Sequence, residues 1–158
     1  MKTINNFIIE KLRLGKTNQY SCQPKTKEEL REILEERLQE DKNADLNDID
    51  VSKITDMSSI GWDRIGLFEN LDPHNIDISL WNVSNVTDMK YMFDDCIHFN
   101  SDLSKWDVSN VEDMFCMFRN CKRFNCDLND WNTNKVKNYI WMFYNCPIAK
   151  NPPKWLND

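Results

Sequence analysis

Tryptophan recurs at a fixed interval. Trp81, Trp106 and Trp131 are 25 residues apart, and Trp155 follows after 24. Each carries its neighbourhood with it. The run Trp81-Asn-Val-Ser-Asn-Val-Thr-Asp-Met-Lys-Tyr-Met-Phe-Asp-Asp-Cys96 is answered by Trp106-Asp-Val-Ser-Asn-Val-Glu-Asp-Met-Phe-Cys-Met-Phe-Arg-Asn-Cys121, and Trp131 to Cys146 keeps the frame with weaker identity. An earlier unit begins at Ile49, where Asp50-Val-Ser-Lys-Ile-Thr-Asp-Met57 fits the same template. It then carries about seven extra residues, Trp62 to Phe68 among them, before Asn75 to Leu80 rejoins the frame. A period between 20 and 50 residues is the mark of units that bury their apolar faces only by stacking on one another, as in a solenoid.

The spacing inside a unit predicts its local structure. Met89, Met92, Phe93 and Cys96 fall at i, i+3, i+4 and i+7, one face of a short helix. Met114, Met117, Phe118 and Cys121 repeat the pattern, as do Tyr139, Met142, Phe143 and Cys146. Asp88 and Asp113 precede these runs, where a carboxylate caps free helix amides. Upstream, Val83-Ser-Asn-Val86, Val108-Ser-Asn-Val111 and Val51-Ser-Lys-Ile54 are short and β-branched, suiting one brief strand each. The expected fold class is therefore an α/β solenoid with one short parallel strand and one short helix per repeat.

In such a stack like residues meet like. Trp81, Trp106 and Trp131 form one expected column; Val86, Val111 and Val136 a second; Phe93, Phe118 and Phe143 a third. Asn100 with Asn125, and Asp77 with Asp102 and Asp127, share frame positions and are expected to hydrogen-bond backbone at the turns. The chain has 3 glycines against twenty asparagines, so asparagine is the expected supplier of tight turns.

The run Phe99-Asn-Ser-Asp-Leu-Ser-Lys-Trp-Asp-Val-Ser-Asn-Val-Glu-Asp-Met-Phe-Cys-Met-Phe118 closely resembles the repeat of BspA-type bacterial surface proteins, divergent relatives of the leucine-rich repeats. The likeness covers residues 49 to about 150. It implies a right-handed leucine-rich-repeat-like coil stack and a role in adhesion or interaction.

Residues 1–48 read as an N-terminal arm and capping helix, and 49–158 as the repeat region with units starting at 49, 81, 106 and 131 and a C-terminal cap. The helix is expected over about 26–41, with Thr26 and Glu29 as a capping box and Leu30, Ile33, Leu34 and Leu38 as the apolar stripe. It covers the end of the stack or binds a partner. Phe7-Ile-Ile9 and Tyr20-Ser-Cys22 are short edge strands or parts of a loose arm. At the other end Pro147, Pro152 and Pro153 break the pattern and Trp155 closes the last coil.

The net charge of −6 argues against a broad phosphate-neutralising face, so direct nucleic-acid binding is not expected. No run approaches the length of a membrane-spanning helix. Met1 to Gly15 has no continuous apolar segment or small-residue cleavage site, which predicts a cytoplasmic protein. Of six cysteines, Cys96, Cys121 and Cys146 occupy one frame position as small buried hydrophobes. Cys116 and Cys126 lie five residues either side of Cys121, not at a zinc-ligand spacing. Free structural thiols are the expectation, with disulfides and a metal as the competing readings. His98 lacks a recognisable nucleophile or acid partner, and His74 stands where neighbouring units have Phe99 and Phe124. Asp45 to Asp50 lacks the glycine and glutamate of a calcium loop. The expectation is no enzyme, no cofactor, no metal and no catalytic residue.

What remains is surface. One outward row would hold Lys53, Asn85, Asn110 and Lys135, and the next Thr55, Thr87, Glu112 and Lys137. The helix side would add Tyr91, Trp141 and Tyr144, with Phe115 and Ile140 between them. The functional expectation is a protein-binding module, as monomer or homodimer. Two other readings are an inhibitor or decoy, from a phage or mobile element, of a nucleic-acid-binding defence enzyme, and a surface adhesin exported by a signal outside this chain.

Overall fold

A computed structural model of the chain describes residues 20–59, 66–71 and 73–156. Phe7 to Ile9, the charged start of the chain, and the inserted residues Trp62 to Ile65 lie outside them.

The repeats stack in register. The Trp81 and Trp106 rings lie 6.4 Å apart at 6°. Phe68, Phe93, Phe118 and Phe143 form a continuous pile with centroid spacings of 4.9, 5.4 and 5.8 Å. Beside it Phe99 and Phe124 pack against Phe93 and Phe118 at 4.1 and 4.2 Å. Val86 and Val111 are fully buried, and Val136 is half-buried. Each indole N–H donates back to a carbonyl of the preceding coil: Trp81 to Leu46, Trp106 to Ile78, Trp131 to Leu103 and Trp155 to Leu128, at 2.7–3.0 Å. The column therefore solves a polar problem and an apolar one with the same side chain.

The coils themselves are not what the periodicity predicts. Among the described residues there is a single α-helix, two short 3-10 helices (Pro147–Lys150 and Lys154–Leu156), and isolated parallel bridges with no sheet. The chain is thus not an α/β solenoid. The expected strand Val83–Val86 is a turn closed by the Val86 N–H on the Val83 carbonyl at 2.9 Å, and Val108–Val111 repeats it. The expected helix Met89–Cys96 is a string of turns, with Met92 bonded to Met89, Asp94 to Tyr91 and Cys96 to Phe93.

The reason is backbone handedness. Tyr91, Cys116 and Trp141 have φ of 58°, 56° and 57°, and Asn70, Asp95, Asn120 and Asn145 have 61°, 58°, 60° and 59°. A left-handed residue every fourth position interrupts any helical ladder. The apolar side chains still meet one face, which is why the pattern mimics a helix. Alternate amides are turned out of the coil instead: Met89, Tyr91, Phe93 and Asp95 donate to the carbonyls of Asp113, Phe115, Met117 and Arg119 at 2.9–3.0 Å. Met114, Cys116, Phe118 and Asn120 do the same to Asn138, Ile140, Met142 and Tyr144 at 2.8–3.1 Å.

Side-chain carboxylates and amides shape the rest. Asp45, Asp50 and Asp56 each accept the N–H two residues on, and so do Asp77, Asn82 and Asp88, then Asp102, Asp107 and Asp113, then Asp127, Asn132 and Asn138, at 2.8–3.3 Å. These are Asx turns, in which a short polar side chain substitutes for backbone. Their spacing of five and then six residues marks three corners of every coil. Asp56, Asp88, Asp113 and Asn138 are bridged in parallel from unit to unit.

At the N-terminal end the helix α1 spans Lys27–Glu40. The Thr26 side chain accepts the Glu29 N–H at 3.2 Å, and Glu29 reaches back to the Lys25 N–H at 2.7 Å. Leu30, Ile33, Leu34 and Leu38 are buried. Its basic side chains bond carbonyls of the first unit: Lys27 to Ser59 at 3.1 Å, and Arg31 to Gly66 and Leu67 at 3.0 and 2.8 Å. Lys42 adds Leu71 at 2.6 Å. Tyr20 to Cys22 follows the frame too, with Cys22 bridged in parallel to Ile49. Where the insertion rejoins the stack, a β-carbon on Gly66 would collide with the Tyr91 carbonyl oxygen.

Candidate interaction surface

The two outward rows read from the sequence do form, and the backbone uses much of them. Asn85 donates to the Ser52 carbonyl at 2.9 Å and Asn110 to that of Ser84 at 2.8 Å. Lys135 Nζ then sits 2.7 Å from Asn110 Oδ1. Lys53 is exposed at the head of the row. In the second row Thr87, Glu112 and Lys137 donate their N–H to Thr55, Thr87 and Glu112, each at 2.8 Å. Lys137 Nζ pairs with Glu112 Oε2 at 2.6 Å, and this ammonium holds the Glu112 carboxyl below its ordinary value. The Asn85 and Asn110 amides are tied to the scaffold. Thr55, Thr87 and Glu112 remain exposed.

The aromatic residues gather differently. Tyr91 is half-buried and meets Phe115 edge-on at 5.2 Å, and Phe115 leads to Trp141 at 5.8 Å. Across units these rings run diagonally, because Tyr91 and Trp141 share a frame position and Phe115 is one residue earlier. They line a trough of about 280 Å³ together with Glu69, Asp94 and Arg119. On the final unit Ile140, Trp141 and Tyr144 are 59%, 60% and 61% exposed. Tyr139, expected on the buried face, is instead exposed where Met89 and Met114 are covered.

The charged wall of the trough is an ion pair that the sequence reading missed. Arg119 grips Asp94 through Nε and a terminal nitrogen at 2.7 and 2.6 Å. Asp94 is buried, and burial holds its carboxyl above the ordinary value despite the guanidinium. The carboxylate in turn pushes Arg119 further up. The usable signal was that Asp94 and Arg119 stand one frame apart, 25 residues, with opposite charge. His74 and His98 also escaped it as a pair, their rings 4.5 Å apart and edge-on.

Burial pushes the Cys96 and Cys121 thiols well above their ordinary range, and those of Cys126 and Cys146 up to about 11. Cys121 Sγ lies 3.0 Å from the Phe93 carbonyl and Cys146 Sγ 3.4 Å from that of Phe124. A protonated thiol held on backbone is a poor nucleophile. The acidic run 45–50 is spent on turns and on the cap: Asp48 pairs with Arg37 at 3.1 Å and also takes Ser21, and Asp50 takes Gln23. No group of side chains suited to hold a metal ion occurs among the described residues, and none of their helices is long and apolar enough to cross a membrane.

The chain belongs to the family described as Mycoplasma protein of unknown function, DUF285, which it matches over residues 29–155. No curated protein matches it, and no solved structure does.

Proposed function

We propose that this chain is a non-catalytic protein-binding module and that its contact surface is the aromatic face of the last repeat. One observation carries the reading. Of the seven large apolar residues exposed among the described residues, Tyr139, Ile140, Trp141 and Tyr144 fall on the single unit that starts at Trp131. Isolated exposed hydrophobes are ordinary, whereas a cluster is not. Tyr and Trp also dominate the energetics of protein interfaces. The lysine and threonine rows serve this reading as rim, since Asn85 and Asn110 are tied to backbone. The resemblance to BspA-type repeats, a family of interaction proteins, points the same way.

The test is capture of partners from native lysate with the wild-type chain, with Trp141→Ala/Tyr144→Ala, and with Thr55→Arg/Thr87→Arg. Loss of the captured protein with the aromatic pair alone supports the reading. Equal capture by wild type and the aromatic variant refutes it.

A further inference from the structure

The backbone of the last unit ends in an open row. In the units starting at Trp81 and Trp106 four alternate amides bond the next coil, as Met114, Cys116, Phe118 and Asn120 do. The equivalent amides of the last unit belong to Tyr139, Trp141, Phe143 and Asn145, and among the described residues no acceptor faces them. Trp141 and Asn145 keep the left-handed φ of their counterparts, 57° and 59°, so the row holds its shape without a neighbour. The two ends of the stack differ in this respect. At the N-terminal end Arg31 bonds the Leu67 carbonyl, the counterpart of the Met92 carbonyl that accepts Phe68, and α1 packs its buried leucines there. The C-terminal end offers donors.

Charge sharpens the picture. Residues 131–156 contain Lys135, Lys137, Lys150 and Lys154 and no carboxylate, in a chain whose net charge is −6. Glu112 pairs with Lys137 and lies near Lys135, Asp127 lies near Lys154, and Lys135, Lys150 and Lys154 are exposed.

We infer that this edge binds an acidic peptide segment of a partner protein, laid parallel to residues 139–145 and taking the same turn-rich path. The segment's alternate backbone carbonyls accept the four amides, its carboxylates face the lysines, and its apolar side chains meet Trp141 and Tyr144. This is backbone addition at an unpaired edge, and it extends the same ladder that already joins one unit to the next. It rests on the reading of the last repeat as the contact surface, and it names the chemistry of the partner. Another copy of this chain fits less well, because α1 already packs on the first unit and two C-terminal ends would set donors against donors.

The probe is a capped synthetic peptide with the sequence of residues 88–95, which is acidic and already pairs in this way within the stack. Amide hydrogen exchange is followed by NMR. In the isolated protein the four edge amides should exchange at least tenfold faster than those of Met114, Cys116, Phe118 and Asn120. Peptide at about 1 mM, roughly tenfold above a dissociation constant of about 0.1 mM, should slow the four about tenfold. The variant Lys135→Glu/Lys150→Glu/Lys154→Glu should weaken that effect about tenfold. Slow exchange in the isolated protein overturns the open edge, and binding without edge protection overturns the docking mode. Protection by an oligothymidine but not by the peptide, or by raising the protein concentration alone, overturns the occupant in favour of nucleic acid or a second copy. Should the Trp141→Ala/Tyr144→Ala variant lose its captured partner while the peptide leaves the edge amides unprotected, the contact surface stands and this inference falls.

Discussion

Replacing Trp106 by Phe tests the indole column at its centre. The ring is 4% exposed, parallel to Trp81 at 6.4 Å, and its N–H meets the Ile78 carbonyl at 3.0 Å. Phenylalanine keeps an aromatic ring and loses two things. The Ile78 carbonyl keeps the Trp81 N–H at 3.1 Å and loses its second donor, which costs about 1 kcal/mol. The missing ring atoms, roughly two methylene equivalents, add ~1.5 kcal/mol. The expected loss is therefore about 2.5 kcal/mol, which at a urea slope near ~2 kcal/mol/M lowers the midpoint by about 1.2 M. The same change at Trp155 supplies the control. Its N–H meets the Leu128 carbonyl at 2.7 Å, but the ring is only half-buried and water can replace the donor. There the loss should be about 1 kcal/mol. Urea unfolding followed by circular dichroism, which does not rely on the altered fluorophore, reads both. Equal losses at the two sites, or less than about 1 kcal/mol at Trp106, would refute the claim that stacking and carbonyl capture hold the coils together.

Three further outcomes follow from the same geometry. Arg119→Ala leaves the Asp94 carboxyl buried without its partner and should cost about 2–4 kcal/mol, with Asp94→Asn in that background recovering part of the loss in urea melts. The turn carboxylates of Asp77, Asp102, Asp107 and Asp127 lie below their ordinary 3.8, held there chiefly by hydrogen bonds from the residues two positions on. A depressed folded value means their stabilisation is complete above the ordinary value and is lost as pH falls through the folded one, so the urea midpoint should drop below about pH 4. Changing the four to Asn, which still makes the turn, should flatten that drop. Gly66→Ala forces a side chain against the Tyr91 carbonyl and should cost about 1–3 kcal/mol, whereas Ala at exposed Lys53 should leave the midpoint within about 0.3 kcal/mol.

Register, column membership and burial were legible in the sequence because they depend only on the 25-residue identity of side chains. Trp81 with Trp106, and Phe93 with Phe118, meet as their positions demand. Local structure was not legible by the same route. Met89, Met92, Phe93 and Cys96 sit on one buried face, and a 3.6-residue period is the usual cause of such spacing. Here turns with a left-handed residue at Tyr91 and Asp95 produce it. Half of that signal was present, since Asp95, Asn120 and Asn145 are residue types that tolerate positive φ. The other half was hidden, because Tyr91, Cys116 and Trp141 are not. At the candidate surface the aromatic residues were legible from their position, but the open edge was not. An unpaired amide leaves no mark on composition, and it emerges only once the inner coils show where their amides go.

A coil made of turns cannot satisfy its own backbone, and that single deficit explains both ends of the molecule. Each Asx corner takes one N–H, and each turn takes another, yet alternate amides from Met89 to Asp95 still need the next coil. No unit is therefore complete alone, and stability must come from neighbours, as in other stacked repeats. Among the described residues the first coil is paired on its outer side by Tyr20 to Cys22, where the Asp50 N–H bonds the Cys22 carbonyl, and α1 adds the Lys27 and Arg31 side chains on other carbonyls. The last coil has the opposite need. Tyr139 to Asn145 present donors beside exposed rings in a unit with exposed lysines, so the proposed partner segment would bring acceptors, apolar surface and negative charge together. An acidic segment taking the same turn-rich path meets all three conditions with its backbone and side chains at once, while a helix, whose carbonyls are already spent, meets only the last two.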